Sequence, residues 1–324
     1  MFHKLAAESS PTDSYPDSER TGESSCQRFL LSPKAICALI VTYNPDDSFV
    51  ARFQHLATQV GNVIVVDNHS ADAAVCMLTE AIATLNLTLI ANSENLGIAS
   101  ALNIGLERAT AAGFEWVLLL DQDTLPALDM VEILREAYDQ FPDKHRLAVI
   151  GSNFKNPRTG QTRYSPEVTD GCCWREMEAV ITSGSLVSIC AFQEIGAYRS
   201  EYFIDCVDFE YCLRARSKGF KVIIAKKAGM WHAIGESTPR RLLWKTVHPT
   251  RYSPVRRYYM MRNNIALAKE YLYQEPRWTL RTLNSVLKSL LVLCVFEDQK
   301  WAKIKIATMG LLDGLLSDFR RKLG

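Results

Sequence analysis

From Ala35 onward the chain alternates between two hydrophobic rhythms. Short unbroken apolar runs at 36–41 (ICALIV), 63–66 (VIVV), 87–91 (LTLIA) and 116–120 (WVLLL) have the length and continuity of strands buried on both faces. Between them apolar residues recur at helical spacing: Phe49, Phe53, Leu56 and Val60, then Val75, Leu78, Ile82 and Leu85. Residues 97–111 place Leu102, Leu106 and Ala109 on one stripe. The pattern predicts a further helix over 128–141, a strand at 148–151, and a polar, turn-rich stretch to Gly171. After it come a strand over 180–188 broken at Gly184, a short helix over 208–218 stopped by Gly219, and a strand at 221–225. From about Pro254 the chain reads as helix to its end, interrupted only at Pro276 and at Glu297-Asp298.

Strands alternating with helices predict an α/β fold: a mostly parallel, Rossmann-like central sheet with helices on both faces, plus a C-terminal helical extension. The expected organisation is a disordered or loosely held segment over 1–33, a catalytic domain over 34–250, and a helical region over 251–324. In sheets of this kind ligands bind beyond the carboxyl ends of the strands. All four of those ends are polar here: Thr42-Tyr43-Asn44-Pro45, Asp67-Asn68-His69-Ser70, Asn92-Ser93-Glu94-Asn95-Leu96-Gly97 and Asp121-Gln122-Asp123. Nothing comparable marks the amino ends, and this asymmetry predicts a ligand cleft.

Three clusters carry candidate chemistry. Alternation along the strand puts Asp121 and Asp123 on one side, where two carboxylates suit a hard divalent ion that keeps other sites for diphosphate oxygens. Asp205, Asp208 and Glu210 surround a helix start, where the dipole favours an ionised carboxylate of the kind a general base needs. Ordinary capping by Asp205 or Asp208 is the competing explanation. Trp231-His232 follows the strand at 221–225, and the acidic pair makes a metal-ligand role for His232 plausible beside a merely hydrogen-bonded one. The small residues from Gly97 allow a diphosphate close to a helix N-terminus, or equally a tight helix-to-sheet contact.

Composition narrows the classes. A net charge of +1 excludes a broad basic field for nucleic acid, and 48% apolar residues supply a large core. Nine cysteines without a C-x-x-C pair fit a reducing cytoplasm. Residues 1–33 hold no apolar segment of signal-peptide type. The C-terminal apolar run at 290–296 is too short by itself to span a bilayer. The C-terminal region mixes Leu, Val, Trp and Phe with Lys288, Lys300, Lys303, Lys305, Arg320, Arg321 and Lys322. That mixture fits a helix lying on anionic lipid, or one packed on the catalytic domain or a second subunit.

The ordered segments IVTYNP, VVDNHS, NLGIA, LLLDQDT, ITSGSL, FIDCVDFEYCLRARSKGF and the WH pair resemble the family 2 inverting glycosyltransferases of GT-A fold, and within them the bacterial rhamnosyltransferase branch. The resemblance runs from about 35 to 265, with the final GLLDGLLSDFRRKLG also similar. It implies that Thr42, Tyr43 and Asp67, with Asn44 beside them, hold the base and ribose of a nucleoside-diphosphate sugar. Asn95 and Gly97 match a ribose or diphosphate contact, Asp121 and Asp123 the metal motif with Asp123 the direct ligand, and Gln122 a donor contact between them. His232 matches a further ligand to Mg²⁺ or Mn²⁺.

Asp208 matches the catalytic base, with Asp205 and Glu210 close enough in sequence to share the role. Thr182, Ser183 and Gly184 match the wall of the sugar and acceptor pocket, and Arg262 and Asn263 an Arg-Asn pair placed near the cleft. The implied donor is dTDP-L-rhamnose, with UDP-hexose or UDP-N-acetylhexosamine as the alternative. The implied acceptor is a lipid-linked saccharide in O-antigen-like polysaccharide synthesis, handled at the cytoplasmic face of the bacterial inner membrane by a possible homo-oligomer. A catalytically vestigial nucleotide-sugar-binding protein is the reading from another class. Against a nucleotidyltransferase stands 42–45, which lacks the Gly-rich, basic loop that usually holds a triphosphate.

Overall fold

The computed structural model describes residues 31–165, 171–232, 240–242, 245–247, 252–297 and 299–323. Residues 1–30 of the expected N-terminal segment lie outside these. Its last residues are ordered, because Leu31 is buried in the core and Pro33–Ala35 form a 3-10 turn leading into the first strand.

Nine strands form the central sheet: β1 (Ile36–Thr42), β2 (Asn62–Asp67), β3 (Leu87–Ala91), β4 (Trp116–Asp121), β5 (Leu125–Pro126), β6 (Leu147–Lys155), β7 (Trp174–Glu176), β8 (Ser185–Ser188) and β9 (Lys221–Trp231). Their order is β3-β2-β1-β4-β8-β6-β9-β5, with β7 pairing on β9. The first four are parallel; β8 enters antiparallel between β4 and β6, and β6 and β9 run parallel. The sheet is therefore parallel in its N-terminal half and mixed beyond it. Residues Arg240–Leu242 and Lys245–Val247 form a separate two-stranded ribbon.

Alternation along β1 shows how the sheet makes two cores. Cys37 and Leu39 face one hydrophobic cluster, while Ile36, Ala38 and Ile40 face the other. The first cluster is closed by α3 (Gly97–Ala111), α5 (Ile189–Ile195) and α6 (Val207–Ser217). The second is closed by α1 (Phe49–Ala57), α2 (Asp72–Leu85) and α4 (Met130–Gln140). Three C-terminal helices follow: α7 (Pro254–Glu270), α8 (Pro276–Phe296) and α9 (Lys300–Leu316). Leu267, Tyr271 and Trp278 extend the first core into them, and the ion pairs Arg199–Glu270 (2.7 Å) and Arg216–Glu275 (2.7 Å) tie their inner end to the sheet domain.

Three expected elements change. The strand over 180–188 begins only at Ser185, because Gly184 (φ +79°) turns the chain and leaves 180–184 as a loop at the sheet's carboxyl edge. β9 runs on to Trp231, with register shifts against β6 around Ser152 and Asn153 that break the hydrophobic period. The apolar run at 290–296 is the end of a 21-residue helix, α8, which by length and composition alone is sufficient to cross a membrane.

Register aligns the polar strand ends. Thr42 pairs with Asp67, Asp67 with Ala91, and Val41 with Asp121. The α3 helix lies close over β1, where a Cβ on Gly105 would overlap the Leu39 side chain. Gly105→Val should therefore lower stability by roughly 1–3 kcal/mol through overpacking. A reduced urea midpoint with unchanged slope is the expected readout, and an unchanged midpoint would show that this contact can relax.

Candidate functional site

A cleft of about 650 Å³ opens at the carboxyl edge of the sheet. Of the residues singled out in the sequence, Thr42, Tyr43, Asn95, Gly97, Asp121, Gln122, Asp123, Thr182 and His232 line it. One end of it is built on the loops after β1, β2 and β3. Asp67 itself is fully buried behind this wall and acts as a junction. Its carboxylate accepts hydrogen bonds from the Thr42 hydroxyl (2.8 Å), the Ser70 hydroxyl (2.5 Å) and the Ser70 amide (2.9 Å). Asn44, at φ +48°, also stays outside the cleft and ties two loops, its amide donating to Ser70 Oγ and its Oδ1 accepting from the Ala71 amide. The cleft contact falls instead to Asn68, which the sequence reading passed over. Its Nδ2 donates to the Gly97 carbonyl (3.0 Å), and Asn95 Oδ1 accepts from the Gly97 amide (3.0 Å).

At the centre, Asp121 ends β4, Asp123 lies two residues on in the turn that follows, and His232 follows the last residue of β9. One ligand atom from each lies within 4.8 Å of the others. His232 Nε2 is 3.9 Å from Asp121 Oδ2, and Asp123, 64% exposed, opens to the cleft. Two carboxylates and an imidazole are a donor set for a divalent cation, so these residues fit the expected ion. Gln122, between the two acids, pairs both ways with the Tyr43 backbone (2.7 and 3.2 Å) and pins the β1 and β4 ends together. Burial and the neighbouring Asp123 carboxylate raise the Asp121 acid, which Arg256 partly offsets. Burial lowers the His232 imidazolium against the pull of Asp123, favouring the neutral ring that ligates a metal.

Behind these residues sits a buried hydroxyl pair. Ser183 Oγ accepts from the Asp121 amide (3.1 Å) and lies 2.5 Å from Thr124 Oγ1, which in turn lies 3.1 Å from His232 Nδ1. For His232 to offer Nε2 to a cation, its proton must sit on Nδ1 and be donated to Thr124, whose own hydrogen then goes to Ser183. The Ser183 side chain thus supports Asp121 and His232 from behind and does not line the cleft, and Gly184 turns the chain beside it.

The third cluster divides. Asp208 Oδ2 accepts from the Thr182 amide (3.0 Å) and Oδ1 from the Phe209 amide (2.9 Å), so the carboxylate sits directly behind a cleft-lining residue. Burial raises its pKa to about 6, opposed by those two amides and reinforced by Asp121 and Asp205. Glu210 cannot share its role. Two residues along a helix is about 200°, and Glu210 points to the opposite side, buried between Arg214 (2.7 Å) and Arg199 (3.1 Å). Asp205 pairs with Arg256 (3.2 Å), which does line the cleft. Arg262 and Asn263 are fully buried beneath the 201–205 loop and grip its carbonyls without lining the cleft.

Arg158, Phe203, Ile204, Tyr252 and Arg256 complete the wall, and sequence reasoning missed them. Ser253-Pro254 is a helix-start signal that places Arg256 in a first turn, with the Ser253 hydroxyl accepting from the Arg256 amide. That signal could have flagged it. Arg158 and Phe203 carry no comparable mark.

Thr124→Val should weaken binding of Mn²⁺ to the purified protein by roughly 10–100-fold, with Thr124→Ser restoring it. Calorimetric titration measures this directly, and unchanged affinity in the valine variant would show that the hydroxyl does not orient His232.

Comparison with known proteins agrees with this geometry. Residues 37–184 match the family model described as Glycosyl transferase family 2. Over 248 residues the chain is 31% identical to dTDP-rhamnosyl transferase RfbF of Shigella flexneri, covering 72% of this chain and 80% of that protein. Two solved structures share the fold. TarS 1-349 of S. aureus aligns with a TM-score of 0.57 at 15% identity, covering 88% of this chain and 82% of that one. The mannosyltransferase PcManGT of Pyrobaculum calidifontis, solved with GDP-Man and Mn²⁺, aligns at 0.54 and 16% identity, covering 89% and 88%. The chain belongs to glycosyl transferase family 2 and is a glycosyltransferase of GT-A fold.

Proposed function

We propose that the enzyme transfers rhamnose from dTDP-L-rhamnose to a hydroxyl of a lipid-linked saccharide, with inversion, in the synthesis of a cell-surface polysaccharide. The observation that carries the reaction type is the convergence of Asp121, Asp123 and His232 at one end of a cleft whose wall is backed by Asp208. The identity with a dTDP-rhamnosyl transferase over most of both chains supports the donor.

In this reading Thr42, Tyr43, Asn68 and Asn95 receive the nucleoside. Mg²⁺ or Mn²⁺ held by Asp121, Asp123 and His232 would supply positive charge to the departing diphosphate. Arg256, held by Asp205, and the exposed Arg158 add cations to the same cleft. Asp208 takes the proton from the acceptor hydroxyl as its oxygen bonds to the anomeric carbon and the bond to the diphosphate oxygen breaks. A single attack opposite the leaving group inverts the centre, giving an α-L-rhamnoside from a β-linked donor. The two amides on Asp208 each occupy one oxygen and aim the remaining lone pairs, so the carboxylate acts in a fixed orientation.

The donor assignment predicts a metal-dependent thermal shift with dTDP-L-rhamnose. At about a hundred times its dissociation constant the donor should stabilise the protein by about 2.7 kcal/mol, and Asp123→Asn should remove the metal-dependent part. A larger shift with UDP-glucose or UDP-N-acetylglucosamine would overturn the rhamnose assignment and leave the metal site intact.

The base assignment predicts a pH profile. Asp208 works only when ionised, and its acid is raised above the ordinary carboxylate range near 4 to about 6. Turnover should therefore fall with a one-proton slope as pH drops through a midpoint no higher than about 6, because a bound cation would oppose the Asp121 repulsion that helps raise the acid. It should approach its full value well above that midpoint. Asp208→Asn should cut turnover by roughly 10²–10⁴-fold while donor binding persists. Loss of donor binding in the folded variant would instead assign Asp208 to the donor site.

A further inference from the structure

The outer surface of the C-terminal helices is built for a different partner from the cleft. Leu280, Leu283, Leu287, Leu291 and Val295 are all exposed and recur every three or four residues along α8, forming one continuous stripe. Trp301, 85% exposed, stands in the first turn of α9, and Leu312, Leu315 and Leu316 are exposed toward that helix's end. Tyr273, just before α8, is also exposed, so an aromatic ring stands near each end of the stripe. An exposed apolar surface of this extent marks a docking face.

Charge decides what docks there. α8 contains no acidic residue, and the single acid of α9, Asp313, is buried against the Tyr258 hydroxyl and Arg321. The exposed charged side chains of the two helices are all cationic: Arg277, Arg281, Lys288, Lys300 and Lys305. Around a two-fold axis, a second copy of this face would set cations against cations, with no exposed acid on either helix to pair them. An anionic lipid surface satisfies both features together: acyl chains receive the leucines, headgroups receive the lysines and arginines, and Trp and Tyr suit the boundary.

We propose that the α8–α9 face binds an anionic bilayer with α8 lying in the plane of the membrane. Although α8 is 21 residues long and apolar enough to cross, it is fastened to the protein along its length. Near its start Trp278 is buried against Phe209 and Arg281 pairs with Glu178 (2.6 Å). Further along Ser289 accepts from Arg257 (2.8 Å), and beyond its last residue Glu297 pairs with Arg257 and Lys303. A 21-residue helix is about 31 Å long, and one held at both ends cannot pass through the bilayer without breaking these contacts.

The test is flotation of the full-length chain with vesicles of phosphatidylcholine alone or with about a third phosphatidylglycerol. The chain should float with the anionic vesicles, weakly with the neutral ones, and be released by high salt or alkaline carbonate. Leu287→Glu with Leu291→Glu, at positions 57% and 55% exposed, should abolish flotation while melting as the native chain does. Lys288→Gln with Lys305→Gln provides a second variant of milder chemistry and should lower partitioning by roughly tenfold or more at low salt. Donor binding, measured without vesicles, should be the same in all of them. No flotation with anionic vesicles, equal partitioning of the leucine variant, or retention after carbonate would each overturn the proposal. So would a dimer in light scattering that the leucine variant disrupts while vesicle binding is absent.

Discussion

The site hangs on one side-chain amide. Asn263 Nδ2 shares its two hydrogens among the carbonyls of Tyr202 (2.9 Å), Ile204 (2.8 Å) and Asp205 (2.8 Å), while its Oδ1 accepts from Arg262 Nε (2.9 Å), which fixes the amide's orientation. The loop it grips contains Phe203, Asp205 and Cys206 at φ of +55°, +62° and +63°. Left-handed backbone at a residue with a Cβ is strained, and strain of this kind persists only where the surroundings over-determine it. The Ile98 amide donating to the Phe203 carbonyl (2.7 Å) and the stacking of Phe203 on Tyr259 complete the hold. Two residues past Cys206 stands Asp208. The position of the proposed base is thus set by a strained loop, and the loop by a buried asparagine some sixty residues away.

The same loop joins the two halves of the sheet. Gly97 opens α3 in the parallel half, and a Cβ there would meet the Phe203 ring at 2.5 Å. The small residue at that helix start therefore serves the packing reading as much as the ligand reading, since Gly97 also lines the cleft. The candidate cation site crosses the same seam. Asp121 comes from β4 and His232 from the end of β9, and Ser183 and Thr124 bridge them through buried hydroxyls. Burial raises Asp121, Asp205 and Asp208, and neighbouring carboxylates add to the rise at Asp121 and Asp208, a repulsion that a bound cation would relieve.

What could be read in advance follows from what leaves a periodic trace. The four parallel strands are legible because strands buried on both faces become unbroken apolar runs, and their polar ends announced the cleft. That Asp121, Asp123 and His232 would come together was legible because cation binding calls for particular residue types at strand ends. Assigning the base by sequence proximity was less secure, because helix geometry sends Asp208 and Glu210 to opposite sides although they are two residues apart. Asp67 and Asn68 exchange roles for a similar reason: adjacent residues at a strand end face opposite ways, one into the junction and one into the cleft. The exposed stripe of α8 escaped a search for apolar runs because Arg281, Asn284, Ser285 and Lys288 interrupt it in sequence but not on the helix surface.

The expected division at 250/251 separates parts that the structure joins. Arg262 and Asn263 belong to α7, yet the backbone they hold belongs to the 201–205 loop. The other side of α7 meets α9, where Gly310 and Gly314 lie so close to the Tyr258 and Arg262 carbonyls that a Cβ at either would overlap them. Arg257 carries the connection outward to Ser289 and Glu297. One helix therefore stands between the strained loop on its inner side and the apolar stripe on the outer helices. This explains why α7 buries arginine and asparagine where a surface helix would bury leucine: its inner face must supply donors to a loop whose carbonyls point away from every strand. A chain ending at 250 would keep Asp208 in its sequence and lose the amide that gives it a place.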